Sequence, residues 1–154
     1  MMHIDHPASA AALAELLSAL ADDDLAELAC LSQGNPIRAL LRVLDRSTYS
    51  FCARDDRNHV VFVGGVMLDD PPYLWMMAAA GAVARDKKGF LRTTRAELGE
   101  ILSRWPTLQC AVDDRWVKSL RWLKWLGFVK VGDREAFGRH GSLMEISRRC
   151  PNLS

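Results

Sequence analysis

The stretch DDRWVKSLRWLKWLGFVKV, Asp113 to Val131, reads as a helix that ends in a glycine and hands over to a strand. Trp116, Leu120, Leu123 and Leu126 recur at helical spacing and form one apolar stripe. Lys118, Arg121 and Lys124 fall on the other side, a basic face turned toward solvent or an anion. Gly127 stands at the C-cap, where glycine enters the left-handed region without steric cost. Asp113 or Asp114 suits the N-cap, and the cations near the C-terminus suit the helix dipole. Phe128, Val129 and Val131 then open a strand, with Lys130 alternating outward.

Working back from this stretch, Leu108 to Val112 is a short strand, and Pro106 stops the helix before it. That helix runs from about Asp86 to Trp105, with Phe90, Leu91, Leu98, Ile101 and Leu102 as its apolar contacts. Gly99 in its interior weakens the pattern. Tyr73 to Ala79 (YLWMMAA) is a nearly continuous apolar run, as expected of a strand buried on both faces. Two further strands precede it. Tyr49, Phe51 and Ala53 alternate with polar or small residues, and His59 to Leu68 is rich in Val and Phe. Asp55-Asp56-Arg57-Asn58 and Asp69-Asp70-Pro71-Pro72 are turns. Gly64-Gly65 predicts a bulge or a close approach of backbones. The first third is helical. Ser9 or Pro7 opens AAALAELLSAL, with Leu13, Leu16, Leu17 and Leu20 on one face. Asp22 to Asp24 cap a second helix, LAELACLSQ, ended by Gly34. Asn35-Pro36 starts a third, carried by Ile37, Leu40, Leu41 and Leu44 to about Arg46. After Gly127, strands over roughly Phe128 to Val131 and Ser142 to Ser147 are joined by a charged, glycine-containing loop.

At 154 residues the chain reads as a single domain, 1–46 being its helical part and 48–149 its sheet with two main helices. A formal net charge of +1 argues against a nucleic-acid module. No apolar run approaches the ~18 residues of a membrane span, and MMHIDHPAS lacks the pattern of a secretion signal. A cytoplasmic setting follows. Cys30, Cys52, Cys110 and Cys150 are far apart and read as small buried hydrophobes. His3, His6, His59 and His140 show no ligand spacing, so no metal is expected.

Helices, an antiparallel meander, then strand–helix–strand–helix–strand make an α+β order. With SLRWLKWLGFVKVGD, that order resembles the Gcn5-related N-acetyltransferase family, an acyl-CoA N-acyltransferase fold with a mixed, mostly antiparallel central sheet flanked by helices. The helix-to-Gly-Phe handover looks like its motif B. Tyr73 to Ala79, KKGFLRTTRAEL (Lys87 to Leu98) and Val112 to Phe128 resemble, more narrowly, phage acetyltransferase-like and internal virion proteins. The likeness spans about residues 35 to 149.

The resemblance implies a cleft for acetyl-coenzyme A between two splayed parallel strands, Tyr73 to Ala79 and Leu108 to Val112, with an amine as acceptor. Met77, Ala78 and Ala79 would pair with the pantetheine arm. The loop Ala84 to Gly89, with Arg85, Lys87, Lys88 and Gly89, would meet the pyrophosphate at the start of the next helix, where orphan N–H groups and the dipole favour an anion. The chain departs from the family pattern. Lys88 and Phe90 stand at the loop's two small positions, where side chains would crowd a phosphate. Trp116 replaces the usual Asn of motif B and Leu123 the usual Tyr, and leucine cannot donate a proton. No catalytic residue can be named on this basis, which leaves two implied functions. One is an acetyltransferase-like protein, phage-derived, with degenerate catalytic motifs. The other is a non-catalytic phage structural or host-interaction protein in a virion or infected cell. Trp116, Trp122 and Trp125 cannot all be buried on one narrow helix face, so an exposed tryptophan is expected to anchor a protein partner or a second copy.

Overall fold

A computed structural model describes residues 2–20, 36–114, 116–136 and 139–148. The expected helix LAELACLSQ, with Cys30, lies outside them, as does Cys150. Among the described residues the elements are β1 (His3–Asp5), α1 (Ala10–Ser18), α2 (Pro36–Arg46), β2 (Tyr49–Arg54), β3 (Val60–Met67), β4 (Tyr73–Ala78), α3 (Ala80–Arg85), α4 (Lys87–Arg104), β5 (Thr107–Asp113), α5 (Val117–Leu126), β6 (Val129–Ala136) and β7 (Arg139–Ser147). The strands form one sheet in the order β1-β2-β3-β4-β5-β7-β6. Each neighbouring pair is antiparallel except β4 and β5.

Alternation along β2 assigns the two faces. Tyr49 and Phe51 look toward α4, whose Glu97 takes the Tyr49 hydroxyl and whose Phe90 meets Phe62 edge-on at 5.6 Å. Ser50 looks the other way and accepts from Ala8 N at 2.9 Å, just ahead of α1. Ser9 caps α1 by accepting from Ala12 N at 3.0 Å, and Leu13 and Leu16 are fully buried. On the α4 face, α5 lies beside α4, with Trp122 stacked on Phe90 at 5.7 Å. A row of rings thus joins the sheet to both helices, from Tyr49, Phe51 and Phe62 on the strands to Phe90 of α4 and Trp122 of α5.

The glycine pair in β3 marks a close approach. A Cβ on Gly64 would lie 2.5 Å from the tip of Phe51 and 2.7 Å from the Trp75 carbonyl oxygen. One on Gly65 would lie 2.6 Å from the Tyr49 carbonyl oxygen. The turn at Asp55 forms as its chemistry requires, with Asp55 Oδ1 accepting from Arg57 N at 2.9 Å and His59 N at 3.0 Å.

The structure corrects several local expectations. A strand, β1, precedes α1. The segment after β4 is helical: Ala84 and Arg85 end α3, Lys87 to Gly89 begin α4, and Asp86 alone separates the two helices. Gly127 caps α5 at φ +111°, as read. The N-cap, however, is Trp116 and not Asp113 or Asp114. Asp113 belongs to β5, and Asp114 accepts from the Ser142 hydroxyl. Val129 and Val131 are 59% and 48% exposed, because β6 is the sheet's edge and its register to β7 shifts between Lys130 and Gly132.

Candidate functional site

The feature that sets this sheet apart is a gap at its centre. β4 and β5 run parallel but share one register position, Tyr73 with Gln109, where Gln109 N donates to Pro72 O at 3.0 Å. Beyond it β4 continues to Ala78 on β3, and β5 continues to Asp113 on β7. The strands splay because each is held by its outer neighbour. The expected parting of Tyr73 to Ala79 from Leu108 to Val112 is therefore present.

Alternation assigns its lining. Ala79 N donates to Val61 O at 2.9 Å, so Ala79 and Met77 turn their backbone groups to β3. Ala78 and Met76 turn theirs into the gap. Of the strand residues expected to meet a pantetheine arm, Ala78 faces the opening, Met77 and Ala79 do not, and Met76 joins it. At the vertex stands Tyr73, whose hydroxyl accepts from Ala111 N at 3.2 Å. Burial pushes the Tyr73 phenol above its ordinary value, against a smaller opposite pull from that N–H. The group is neutral at physiological pH and keeps its proton. Arg134 lies 5.6 Å from the Tyr73 ring centre. On β5 the Cys110 thiol is pushed up to about 12 by burial, which leaves it unionised and unreactive at neutral pH.

At the start of α4, Asp86 is the N-cap, and its Oδ1 accepts from Gly89 N at 3.0 Å. A Cβ on Gly89 would lie 2.2 Å from Asp86 Oδ2, so the carboxylate lies flat against the bare glycine backbone. Arg85, Lys87 and Lys88 are exposed around it. Phe90 does not crowd this end; it is 6% exposed and turned into the core, while Lys88 is turned to solvent. Lys118, Arg121 and Lys124 are on exposed or half-exposed turns of α5, and Leu123 is buried. Trp122 buries an indole N–H that meets no hydrogen-bond partner among the described residues.

The two ends of the gap differ in how they suit a pantetheine thioester. The free backbone edge at Met76 and Ala78 suits an extended chain of amides, which a strand edge recognises by its own hydrogen-bonding period. The start of α4 suits a diphosphate poorly, because the Asp86 carboxylate already holds the Gly89 N–H and sets a negative charge beside it. Sequence reasoning passed over Asp86, Tyr73 and Met76. Asp86 was legible as an N-cap three residues ahead of Gly89. Tyr73 and Met76 were not, since their direction depends on cross-strand register.

A second polar cluster lies under the β2 end of the sheet. Glu97 of α4, 5% exposed, accepts from Tyr49 Oη at 2.5 Å and lies 2.8 Å from His6 Nε2. Above it His6, Ser47, Thr48, Glu100 and Arg104 border a cleft of about 440 Å³. Among the described residues no group of His, Cys, Asp or Glu is arranged to hold a metal ion. No helix among them is long and apolar enough to cross a membrane.

No family model matches the chain, and no curated protein matches it in sequence. Solved structures do match. It is similar to the ribosomal-protein-S18-alanine N-acetyltransferase from Escherichia coli (15% identity, TM-score 0.68, covering 100% of this chain and 99% of that one). It is similar to the ribosomal-protein-S5-alanine acetyltransferase from Vibrio fischeri (13% identity, TM-score 0.69, covering 99% and 94%). It is also similar to the spermidine N-acetyltransferase from Vibrio cholerae, solved in complex with CoA and spermine (14% identity, TM-score 0.69, covering 96% and 95%). At such identities the likeness establishes architecture: the chain has the Gcn5-related N-acetyltransferase fold, a seven-stranded, mostly antiparallel sheet flanked by helices.

Proposed function

We propose that this chain is an acetyltransferase-like protein that receives an acyl thioester, acetyl-coenzyme A or a smaller pantetheine thioester, in the gap between β4 and β5. The donor's acyl group goes to an amine. One observation carries this reading: the strands part after one shared position and leave the backbone of Met76 and Ala78 facing the opening. The solved neighbours are N-acetyltransferases, and one holds CoA and spermine, which supports the same class of donor and acceptor.

The thioester supplies an activated acyl carbon. The chain binds and orients its arm through the N–H and C=O groups of Met76 and Ala78. As the amine nitrogen bonds to the acyl carbon and the C–S bond breaks, the amine loses a proton and the departing sulfur gains one. In this reading Tyr73 Oη, at the vertex of the gap, gives its proton to the departing sulfur and regains one from solvent. In this role the phenol of β4 stands in for a donor that α5 lacks at Leu123. Solvent takes the amine's proton.

A second reading, a non-catalytic protein of the same fold in a phage particle or infected cell, is favoured by one feature, the carboxylate of Asp86 on the helix end. The phage setting rests on the resemblance of Tyr73 to Ala79, Lys87 to Leu98 and Val112 to Phe128.

The test is calorimetric titration of the whole chain with S-acetylpantetheine and acetyl-coenzyme A, beside Ala78→Pro. Proline there deletes an N–H aimed into the gap and spares the bonds to β3. Saturable binding that Ala78→Pro abolishes, with its melting temperature kept within a few degrees, supports the thioester reading. No heat from either ligand at millimolar concentration leaves the non-catalytic reading.

A further inference from the structure

We propose that Asp86 is a selectivity residue: it removes the nucleotide diphosphate from donor recognition, so the preferred donor is a pantetheine thioester without the adenosine diphosphate. The inference rests on the strand-edge reading above and narrows its substrate class.

Two observations at one place, and the charge they imply, carry it. The first is occupancy. The N–H of Gly89, which the first turn of α4 turns outward, already donates to Asp86 Oδ1 at 3.0 Å. The second is space. A helix-end glycine lets an anion approach the backbone because no Cβ intervenes. Here that approach is filled, since Asp86 Oδ2 lies 2.2 Å from where a Gly89 Cβ would be. The charge follows from both. The helix dipole stabilises one anion at this end, and a carboxylate tethered to the first turn is always present at high effective concentration. A diphosphate arriving there meets a like charge where the Gly89 N–H would otherwise be open.

The surrounding cations do not restore the site. Arg85, Lys87 and Lys88 are exposed. Arg85 folds back along α3, its Nη1 4.0 Å from where a Cβ on Gly81 would stand. From exposed positions they attract negative charge only through solvent, which screens them. The backbone edge of Met76 and Ala78 is independent of all this, so the arm keeps its recognition while the nucleotide loses its own.

The experiment measures the affinity of the whole chain for S-acetylpantetheine and acetyl-coenzyme A, in the wild type and in Asp86→Ser. Serine keeps a capping oxygen and drops the charge. The wild type is expected to bind S-acetylpantetheine at least as tightly as acetyl-coenzyme A. Asp86→Ser is expected to tighten acetyl-coenzyme A about tenfold or more, and to move S-acetylpantetheine by less than about twofold. Wild-type binding of acetyl-coenzyme A more than about tenfold tighter than S-acetylpantetheine overturns the proposal and leaves the strand-edge reading standing. So does an equal shift of both ligands in the variant. Failure of both proteins to bind either thioester overturns the strand-edge reading and this proposal with it. Should the variant fail to fold, the wild-type comparison alone decides.

Discussion

Tyr49 Oη donates to Glu97 Oε1 at 2.5 Å, a bond between the first residue of β2 and the middle of α4. His6 Nε2 sits 2.9 Å from the same hydroxyl and 2.8 Å from the same carboxylate oxygen. Glu97 is buried, so the pair fastens helix to sheet where water competes poorly. Glu97→Ala leaves the Tyr49 hydroxyl with His6 alone and is expected to cost about 1–2 kcal/mol in urea unfolding. A loss under about 0.5 kcal/mol would show that water already serves both groups.

The same contact predicts a pH dependence. Burial first, and the bond to Glu97 second, raise the Tyr49 pKa well above its ordinary value. A raised acid adds stability that is complete below its unfolded pKa, about 10 for tyrosine, and drains away as pH climbs beyond it. Stability should therefore fall steadily as pH rises above about 10, and Tyr49→Phe should flatten that fall. Equal slopes for the two proteins would reject the assignment.

Two glycines should answer an alanine in opposite ways. At Gly64 the new methyl meets Phe51 and the Trp75 carbonyl oxygen well inside contact distance, so Gly64→Ala should lose about 3 kcal/mol or more. At Gly99 nothing lies within 4 Å, and the residue is in an exposed helix turn. Gly99→Ala should gain about 0.5–1 kcal/mol. Chemical denaturation of both variants checks the pair; losses of similar size would contradict the packing described for β3.

Cys110 should be slow to alkylate. Its thiol is buried and pushed up to about 12, so the thiolate is scarce at pH 8. Mass spectrometry after a maleimide pulse should find Cys110 unlabelled in the native chain and labelled in urea. Prompt native labelling would mean that β5 opens far more readily than a strand held along its length by β7.

Tyr73→Phe separates chemistry from binding. The variant keeps the ring and loses the hydroxyl at the vertex. Acyl transfer should fall about tenfold or more while S-acetylpantetheine affinity changes little. A variant that transfers acyl groups at the wild-type rate removes Tyr73 from the role of proton donor.

How far the sequence carried the reading depends on what each residue's role rests upon. Gly127 was legible because a left-handed C-cap is a local requirement, visible in the order Leu-Gly-Phe. The pair Gly64-Gly65 was legible for a similar reason, since glycine inside a strand marks crowding. Val129 and Val131 misled because alternation tells which residues share a face and not whether anything covers it. The helix at Ala80–Arg85 was missed because AAGAVAR is built of small residues with no apolar stripe. In the run Arg85-Asp86-Lys87-Lys88 the eye follows the positive charge. The chemistry at the helix end is instead set by the single carboxylate, whose partner Gly89 is reached only when the turn forms.

The outer borders of the sheet are guarded against chance pairing: β1 is three residues long, and β6 shifts register beside the ion pair of Lys130 and Asp133. The inviting backbone edge is instead at the centre, between β4 and β5, where the sheet resumes on the far side. An edge enclosed in this way admits one extended chain and no more. The protein can offer unpaired amides to a visitor without becoming a template on which further copies of itself would stack.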